Sequence, residues 1–218
     1  MQSKSALHRT AIRSELEAET YDLLVIGGGI TGCGIALDAA SRGLKTALIE
    51  KGDFASGTSS RSTKLIHGGL RYLKQFEIAL VREVGLERAK VHRLAPHLVT
   101  AEKMLLPILK DGSFSRLLTS FGLLIYDILA GVERADQRRM LNKADTLKAE
   151  PLLPEDQVEG GALYAEYRTD DARLTIEIIK TAIEQGAHAL NYVEATDFIY
   201  DQGQVAGIEA LDHLSRQS

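Results

Sequence analysis

The sequence predicts an α/β chain built on a βαβ unit of the Rossmann type, and three observations predict it. A continuous apolar run, Leu23-Leu24-Val25-Ile26, ends in the glycine-rich hexamer Gly27-Gly28-Gly29-Ile30-Thr31-Gly32. Helical periodicity follows over 30–42, with Gly43 where a C-cap glycine belongs. A second apolar run over 45–49 then ends at an acid, Glu50. The first run reads as a strand buried on both faces. Strand, turn, helix and strand together make one βαβ unit with a right-handed crossover.

The remaining elements follow in order. Residues 8–19 suit a short helix, but their apolar positions are too few to bury it, so a loosely docked extension is expected. The stretch 53–63 is rich in Gly, Ser and Thr and reads as loop. A longer helix is expected over 76–95, with Leu80, Val84, Val91 and Leu94 on one face and Pro96 ending it. Residues 104–109 read as a strand that Pro107 confines to an edge or a bulge. Phe114, Leu117, Leu118, Phe121, Leu124, Ile125, Ile128 and Leu129 recur at three and four residues, forming one helix face. That face suits either a helix lying on a membrane or a buried helix of a second domain. The buried reading is preferred, because the opposite face carries Thr119, Ser120 and Gly122 rather than a fringe of Lys and Arg. Another helix is expected over 171–185, with Leu174, Ile178, Ile179 and Ala182 as its stripe. Three strand-like segments follow, over 189–193, 196–200 and 205–211, with Gln202-Gly203 as a hairpin turn.

Composition narrows the function classes. A chain of 218 residues with 44% hydrophobic content has room for one or two domains with a core. A net charge of −4 and no basic stripe exclude a typical nucleic-acid binder, and 6% aromatics without Trp exclude a base-stacking surface. The single cysteine, Cys33, precludes an internal disulfide and fits a reducing compartment. No apolar stretch of the signal-peptide kind opens the chain, and no run approaches the ~20 apolar residues of a spanning helix. A cytoplasmic location is therefore expected, with contact at the cytoplasmic face of a membrane only peripheral. No metal site is expected.

The hexamer fits G-x-G-x-x-G in the context that gives that pattern meaning, between a buried strand and a helix and ahead of an acid ending the next strand. Gly27 permits the tight turn, Gly29 lets the backbone approach a pyrophosphate, and Gly32 lets the helix pack close to the sheet. The helix N-terminus offers unpaired N–H groups and partial positive charge to phosphate. Glu50 suits the adenosine ribose hydroxyls and argues against NADP, whose extra phosphate it would repel. NAD and FAD both use such a unit. Cys33, just inside the helix, reads as a packing residue.

Beyond that unit, Gly57-Thr58-Ser59-Ser60-Arg61-Ser62-Thr63-Lys64-Leu65-Ile66-His67-Gly68-Gly69-Leu70-Arg71-Tyr72 resembles a signature of the FAD-dependent glycerol-3-phosphate dehydrogenases. The segment Asp22-Leu23-Leu24-Val25-Ile26-Gly27-Gly28-Gly29-Ile30-Thr31-Gly32 is similar to the same family, as is Glu166-Tyr167-Arg168-Thr169-Asp170-Asp171-Ala172-Arg173-Leu174. The resemblance runs over about 21–211. It implies an FAD-binding Rossmann-type domain of the FAD/NAD(P)-binding, glutathione-reductase-like kind with an interleaved α+β substrate domain, both incomplete. The implied division is an N-terminal extension over 1–20, the first part of the FAD domain over 21–99, a substrate-domain segment over 100–160, and an incomplete return of the FAD domain over 161–218.

The same resemblance implies FAD as cofactor. Gly27, Gly29, Thr31 and Gly32 would lie at its pyrophosphate, with Glu50 at the ribose and Val193 contacting adenine through its backbone. Thr58, Ser59, Ser60 and Ser62 would reach the pyrophosphate and ribityl chain, and His67, Gly68 and Gly69 would pass beside the isoalloxazine ring. Arg71 and Tyr72 would hold the phosphate of glycerol 3-phosphate, since a guanidinium grips phosphate through two parallel hydrogen bonds. Arg168 and Arg173 are expected in helix-capping salt bridges with Asp170 or Asp171, or else as anion ligands. The implied reaction oxidises the C2 hydroxyl to give dihydroxyacetone phosphate and passes electrons to a quinone. His67 is a candidate base by proximity only, because members of the family are longer and their better candidates would lie beyond Ser218. A homodimer is left open. Two other readings remain: an FAD-dependent amine or 2-hydroxyacid oxidoreductase of the same fold, separable by substrate assay, and a catalytically inert FAD-binding module, which would be yellow without turnover.

Overall fold

A computed structural model of the chain describes residues 8–67, 72, 75, 77–112, 115–129, 131–132, 134 and 136–215. In chain order the first elements are α1 (Arg9–Ala18), β1 (Leu23–Ile26), α2 (Ile30–Ser41), β2 (Thr46–Glu50), a 3₁₀ turn (Thr58–Ser60) and β3 (Leu65–Ile66). Next come α3 (Ile78–Leu94), β4 (Val99–Leu109), α4 (Arg116–Leu129), β5 (Arg139–Asn142) and α5 (Lys143–Ala149). The chain continues with β6 (Val158–Thr169), α6 (Asp171–Glu184), β7 (His188–Asn191), β8 (Val193–Asp201) and β9 (Gln204–Asp212). These elements form two compact units, Met1–Thr63 with Asp170–Ser218, and Lys64–Thr169. The divisions expected at 99/100 and 160/161 thus fall instead at 63/64 and 169/170. The reason lies in strand pairing: β3 and β4 both hydrogen-bond to β6, which draws 64–99 into the second unit.

The first unit is a parallel sheet in the order β1-β2-β7, with Val25 beside Leu48 and Leu48 beside Ala189. Its core joins Val25 and Leu48 to Cys33, Ala36 and Ala40 of α2 and to Ile179 and Ala182 of α6. The small side chains of α2 let that helix lie close to both the sheet and α6. Gly43 follows the end of α2 with φ +81°, the left-handed conformation that suits glycine there. At α6, Asp170 Oδ1 accepts the Arg173 backbone N–H at 3.0 Å and caps the helix. The β8–β9 hairpin turns at Gln202 and Gly203, both with positive φ, as a two-residue turn of this hand requires. Two expectations need correction. Strand β1 is not buried on both faces, since Ile26 is half exposed. Helix α1 is not loosely docked. Ile12 and Leu16 pack on Ile49, Leu190 and Val193, while Arg9 Nη2 donates to Asp212 Oδ1 at 2.9 Å. Few apolar residues suffice because polar contacts hold both ends: Glu15 Oε2 lies 3.3 Å from His188 Nε2. Tyr21 Oη stands 2.6 Å from His188 Nδ1, and burial, then the charges of Glu19 and Glu15, push its phenol up to about 12.

In the second unit β6 is the central strand, with β4 along one side and β3 and β5 sharing the other, all antiparallel. Pro107 sits opposite Gly161 on β4, which is an edge strand among the described residues, as a residue without an N–H requires. Two helical faces depart from the periodicity. Helix α3 buries Val81, Gly85 and Arg88, while Leu94, expected in the core stripe, is 83% exposed. On α4 the buried residues are Leu123, Tyr126 and Asp127, whereas Leu117, Phe121 and Ile128 of the predicted buried stripe stand exposed at 84%, 59% and 69%.

Charge explains the first departure. Arg88 is fully buried, and its Nη1 donates to Tyr126 Oη at 2.6 Å and to Glu166 Oε2 at 3.2 Å. Its guanidinium carbon also lies 4.6 Å from the Tyr167 ring centroid and 5.4 Å from that of Tyr126. Burial raises the Tyr126 hydroxyl well above its ordinary range, against the opposing charge of Arg88. One cation thereby ties α3, α4 and β6 together. Removing one partner of a buried pair leaves the other charge uncompensated. Glu166→Ala should therefore destabilise the protein by about 3–5 kcal/mol in urea unfolding, and Arg88→Met/Glu166→Leu by much less. Equal losses in the two variants would show that the pair is not what holds this core.

Candidate functional site

The first unit carries a cleft of about 460 Å³ where β1 meets α2. Val25, Ile26, Gly27, Gly29, Ile30, Thr31, Gly32, Ile35, Thr58 and Ser59 line it. Its shape starts with the glycines. Gly27 has φ +114°, so the chain can reverse sharply at the strand end, and its N–H donates to the Ile49 carbonyl at 2.8 Å. A Cβ on Gly32 would stand 2.0 Å from the Gly27 carbonyl oxygen, so the first turn of α2 can approach β1 only with glycine there. Gly29, the N-cap, is extended, and a Cβ on it would meet only Ser59 Oγ, at 3.3 Å. That position faces the open cleft.

The start of α2 has no side-chain cap of its own, because its N-cap is glycine. Ser59 supplies one from outside the helix, its Oγ accepting the Ile30 N–H at 2.8 Å. The 3₁₀ turn thus places Thr58 and Ser59 against the helix N-terminus, where partial positive charge favours an anion. Ser60 and Ser62 turn elsewhere. Ser60 Oγ donates to the Gly57 carbonyl at 3.2 Å, and Ser62 Oγ donates to Asp171 Oδ2 at 2.6 Å, pinning the loop to α6.

Glu50 lies beneath the glycine loop rather than beside it. Its Oε2 accepts the Gly28 N–H and its Oε1 the Gly52 N–H, each at 2.7 Å. The carboxylate therefore fixes two loops at once and keeps lone pairs for a further donor. Gly28 is confined too, since a Cβ there would stand 2.5 Å from Phe54 Cδ1 and 2.9 Å from Glu50 Cβ. Cys33 is buried, and burial, with the charge of Glu50, pushes its thiol up to about 11, which fits the packing role read from sequence. Val193 is buried against Ile12, Ile49 and Leu190.

The other expected residues belong to the second unit. His67 follows β3, whose Ile66 pairs with Tyr167, and it is exposed. Tyr72 is also exposed, with its carbonyl accepting the N–H groups of Gln75 and Glu77. Gly68, Gly69 and Arg71 lie outside the described residues. The expected salt bridges of Arg168 and Arg173 go elsewhere: Arg168 Nη1 lies 3.6 Å from Glu102 Oε1, and Arg173 pairs with Glu177. Both are surface pairs with nearby carboxylates along a strand pair or one helical turn. Sequence reasoning missed Ile26 and Ile35 as cleft walls and Phe54 as the residue closing on Gly28. Only the strand-end position of Ile26, next to the glycines, could have signalled any of the three.

A model of the family described as FAD dependent oxidoreductase matches residues 22–216. The chain belongs to this family. The aerobic glycerol-3-phosphate dehydrogenase of Staphylococcus haemolyticus (strain JCSC1435) is 56% identical over 212 residues, covering 97% of this chain and 38% of the relative. The aerobic glycerol-3-phosphate dehydrogenase of Bacillus subtilis (strain 168) is 54% identical over 213 residues, 98% of this chain and 38% of the relative. The chain thus spans less than two-fifths of the curated relatives it matches. Among solved structures, the glycerol-3-phosphate dehydrogenase from Bacillus halodurans complexed with FAD superposes with a TM-score of 0.75 at 47% identity, over 98% of this chain and 34% of that one. An L-proline dehydrogenase from P. horikoshii superposes with a TM-score of 0.66 at 22% identity and shares the fold.

The cleft fits the cofactor that defines the family. It joins a helix N-terminus, a glycine where an added Cβ would meet only a serine hydroxyl, and neutral hydroxyls in place of carboxylates at the anion position. No group of three or more His, Cys, Asp or Glu placed to hold a metal ion occurs among the described residues. The second and third glycines of the motif should respond differently to substitution. Gly32→Ala should destabilise the ligand-free protein by about 3 kcal/mol, because backbone must move to admit the methyl group. Gly29→Ala should change ligand-free stability by less than about 1 kcal/mol, because only a rotatable hydroxyl is near. Equal melting temperatures for the two variants would contradict the close approach of α2 to β1.

Proposed function

We propose that the protein holds FAD along the α2 cleft and that it oxidises sn-glycerol 3-phosphate to dihydroxyacetone phosphate. The observation that carries this reading is identity of 54–56% over nearly the whole chain with enzymes named aerobic glycerol-3-phosphate dehydrogenase. The backbone at Gly27, Gly29, Thr31 and Gly32, with the hydroxyls of Thr58 and Ser59, holds the pyrophosphate. Ser59 accepts the Ile30 N–H and so has its own proton to donate to a phosphate oxygen. Glu50 takes the ribose, and the Val193 backbone borders the adenine. Ser60 and Ser62 shape the loop beside the ribityl chain, and His67, Gly68 and Gly69 line the ring.

Bound FAD supplies a two-electron acceptor for the hydrogen on C2. The chain supplies the rest. Arg71 and Tyr72 grip the substrate phosphate and fix which face of C2 is presented. His67, on the strand end before the glycines, takes the hydroxyl proton. A quinone is the proposed final electron acceptor.

The α4 helix supports a peripheral membrane contact. Its exposed Leu117, Leu118, Phe121, Leu124 and Ile128 form one apolar face, and no helix among the described residues is long and apolar enough to cross a membrane. Phe121→Asp/Ile128→Asp should abolish co-sedimentation with phospholipid vesicles. Unchanged sedimentation would exclude this face, and dissociation of a dimer in the variant would assign it to a second copy instead.

The substrate assignment is tested with Arg71→Lys. The purified protein should be yellow with stoichiometric FAD and be bleached by glycerol 3-phosphate. The variant should keep its flavin but lose about tenfold or more in kcat/KM, as expected for a lost charge-assisted pair. The slow reaction with glycerol, which lacks the phosphate, should be nearly unaffected. Equal loss with both substrates would show that Arg71 serves the fold or the flavin.

A further inference from the structure

The family match begins at residue 22, so α1 lies ahead of it. Yet α1 joins the loop that orders the carboxylate of Glu50. Arg9 Nη1 donates to Asn191 Oδ1 at 3.2 Å, and Asn191 Nδ2 donates to Asp53 Oδ1 at 2.8 Å. Asp53 stands in the loop after β2, and its Oδ1 also accepts the Phe54 N–H at 2.9 Å. That loop meets the glycine turn directly, through the Ala55 N–H donating to the Gly28 carbonyl at 2.9 Å. It meets Glu50 through the Gly52 N–H, and the Gly52 carbonyl in turn accepts the Tyr192 N–H at 2.9 Å.

The backbone of this loop and of its neighbour shows the need for a brace. Ala55 in the loop is buried with φ +62°, and Tyr192, which donates to that loop from the turn after β7, has φ +55°, conformations that non-glycine residues hold only when surroundings impose them. Arg9 itself is fixed from its other side by Asp212, whose carboxylate is almost fully buried. Partial burial raises the Asp212 carboxyl, but hydrogen bonds from Arg9 and from backbone N–H groups outweigh it and hold the group below its ordinary range. Asp212 therefore stays ionised and anchors the guanidinium at neutral pH.

We infer that Arg9 of α1 is a positioning residue of the nucleotide site, acting through Asn191 and Asp53 to hold the 52–55 loop and thereby Glu50. The inference rests on FAD being the ligand of this cleft. Arg9 does not line the α2 cleft, so its effect passes through the geometry of the carboxylate that receives the ribose.

Double-mutant analysis of FAD affinity in the ligand-stripped protein tests it, read by quenching of flavin fluorescence beside the melting temperature. Arg9→Met keeps the apolar stem of the side chain and removes the hydrogen bonds. It should weaken FAD binding on the order of fivefold to tenfold. In a Glu50→Gln background the same change should have less than about a twofold effect, because residues acting through one another are not additive. Asn191→Leu leaves the Arg9–Asp212 pair intact, should reproduce the loss, and decides the matter if Arg9→Met does not fold. An unchanged dissociation constant, or full additivity with Glu50→Gln, would overturn the inference and leave α1 as a brace of the fold. Failure of the unaltered protein to bind FAD would remove the cofactor reading itself, and this inference with it.

Discussion

The first unit depends on one close approach, that of α2 to the end of β1. At Gly32 the helix comes so near the strand that a single methyl group would stand 2.0 Å from the Gly27 carbonyl oxygen. That closeness aims the N-terminus of α2 at the cleft and brings Ser59 within reach of the Ile30 N–H. It also sets Gly28 directly over Glu50, whose two oxygens then satisfy the N–H groups of both adjoining loops. Small residues along α2 extend the contact, because Cys33, Ala36 and Ala40 leave room for α6 on the same side of the sheet.

The βαβ order was legible in the sequence because it is local, whereas the hydrogen bonds of Glu50 and Ser59 were not. Strand, glycine turn, helix and acid lie within one short stretch, and each residue's conformation is set by near neighbours. The hairpin at Gln202-Gly203 was legible for the same reason. Faces of helices were not. Arg88 sits on the buried face of α3 because Glu166, far along the chain, and Tyr126 receive its charge, and no local pattern announces such partners. Periodicity favoured Leu94, which stands exposed, since hydrophobic spacing alone cannot find a core position held by a cation.

Helix α4 reverses the error. Its apolar spacing was real, but the face that packs inward is the one bearing Tyr126 and Asp127, whose Oη and Oδ2 have partners within the unit. Asp127 Oδ2 accepts the Arg138 N–H at 3.0 Å, and Tyr126 completes the Arg88 network. A buried polar group must be hydrogen-bonded, so once these partners exist the polar side is committed to the interior. The apolar side is then left outside. The domain division follows a similar logic. Residues 64–99 precede the expected boundary in sequence, but β3 and β4 both find their hydrogen-bond partners on β6.

The two units place their charges in opposite ways, and this bears on what each can do. The second encloses a cation–carboxylate pair among aromatic rings, where loss of either member is costly and the geometry is correspondingly fixed. The first leaves the positive end of α2 at an open cleft, faces it with hydroxyls, and directs the Glu50 carboxylate to backbone N–H groups under the loop. Had Glu50 pointed into the cleft at the helix terminus, it would have neutralised the field that attracts phosphate. Held beneath Gly28 instead, it stiffens the turn and leaves the helix end free to receive an anion. The same residue type thus strengthens a binding site in one orientation and would close it in another. The choice is made by two hydrogen bonds of 2.7 Å from Gly28 and Gly52.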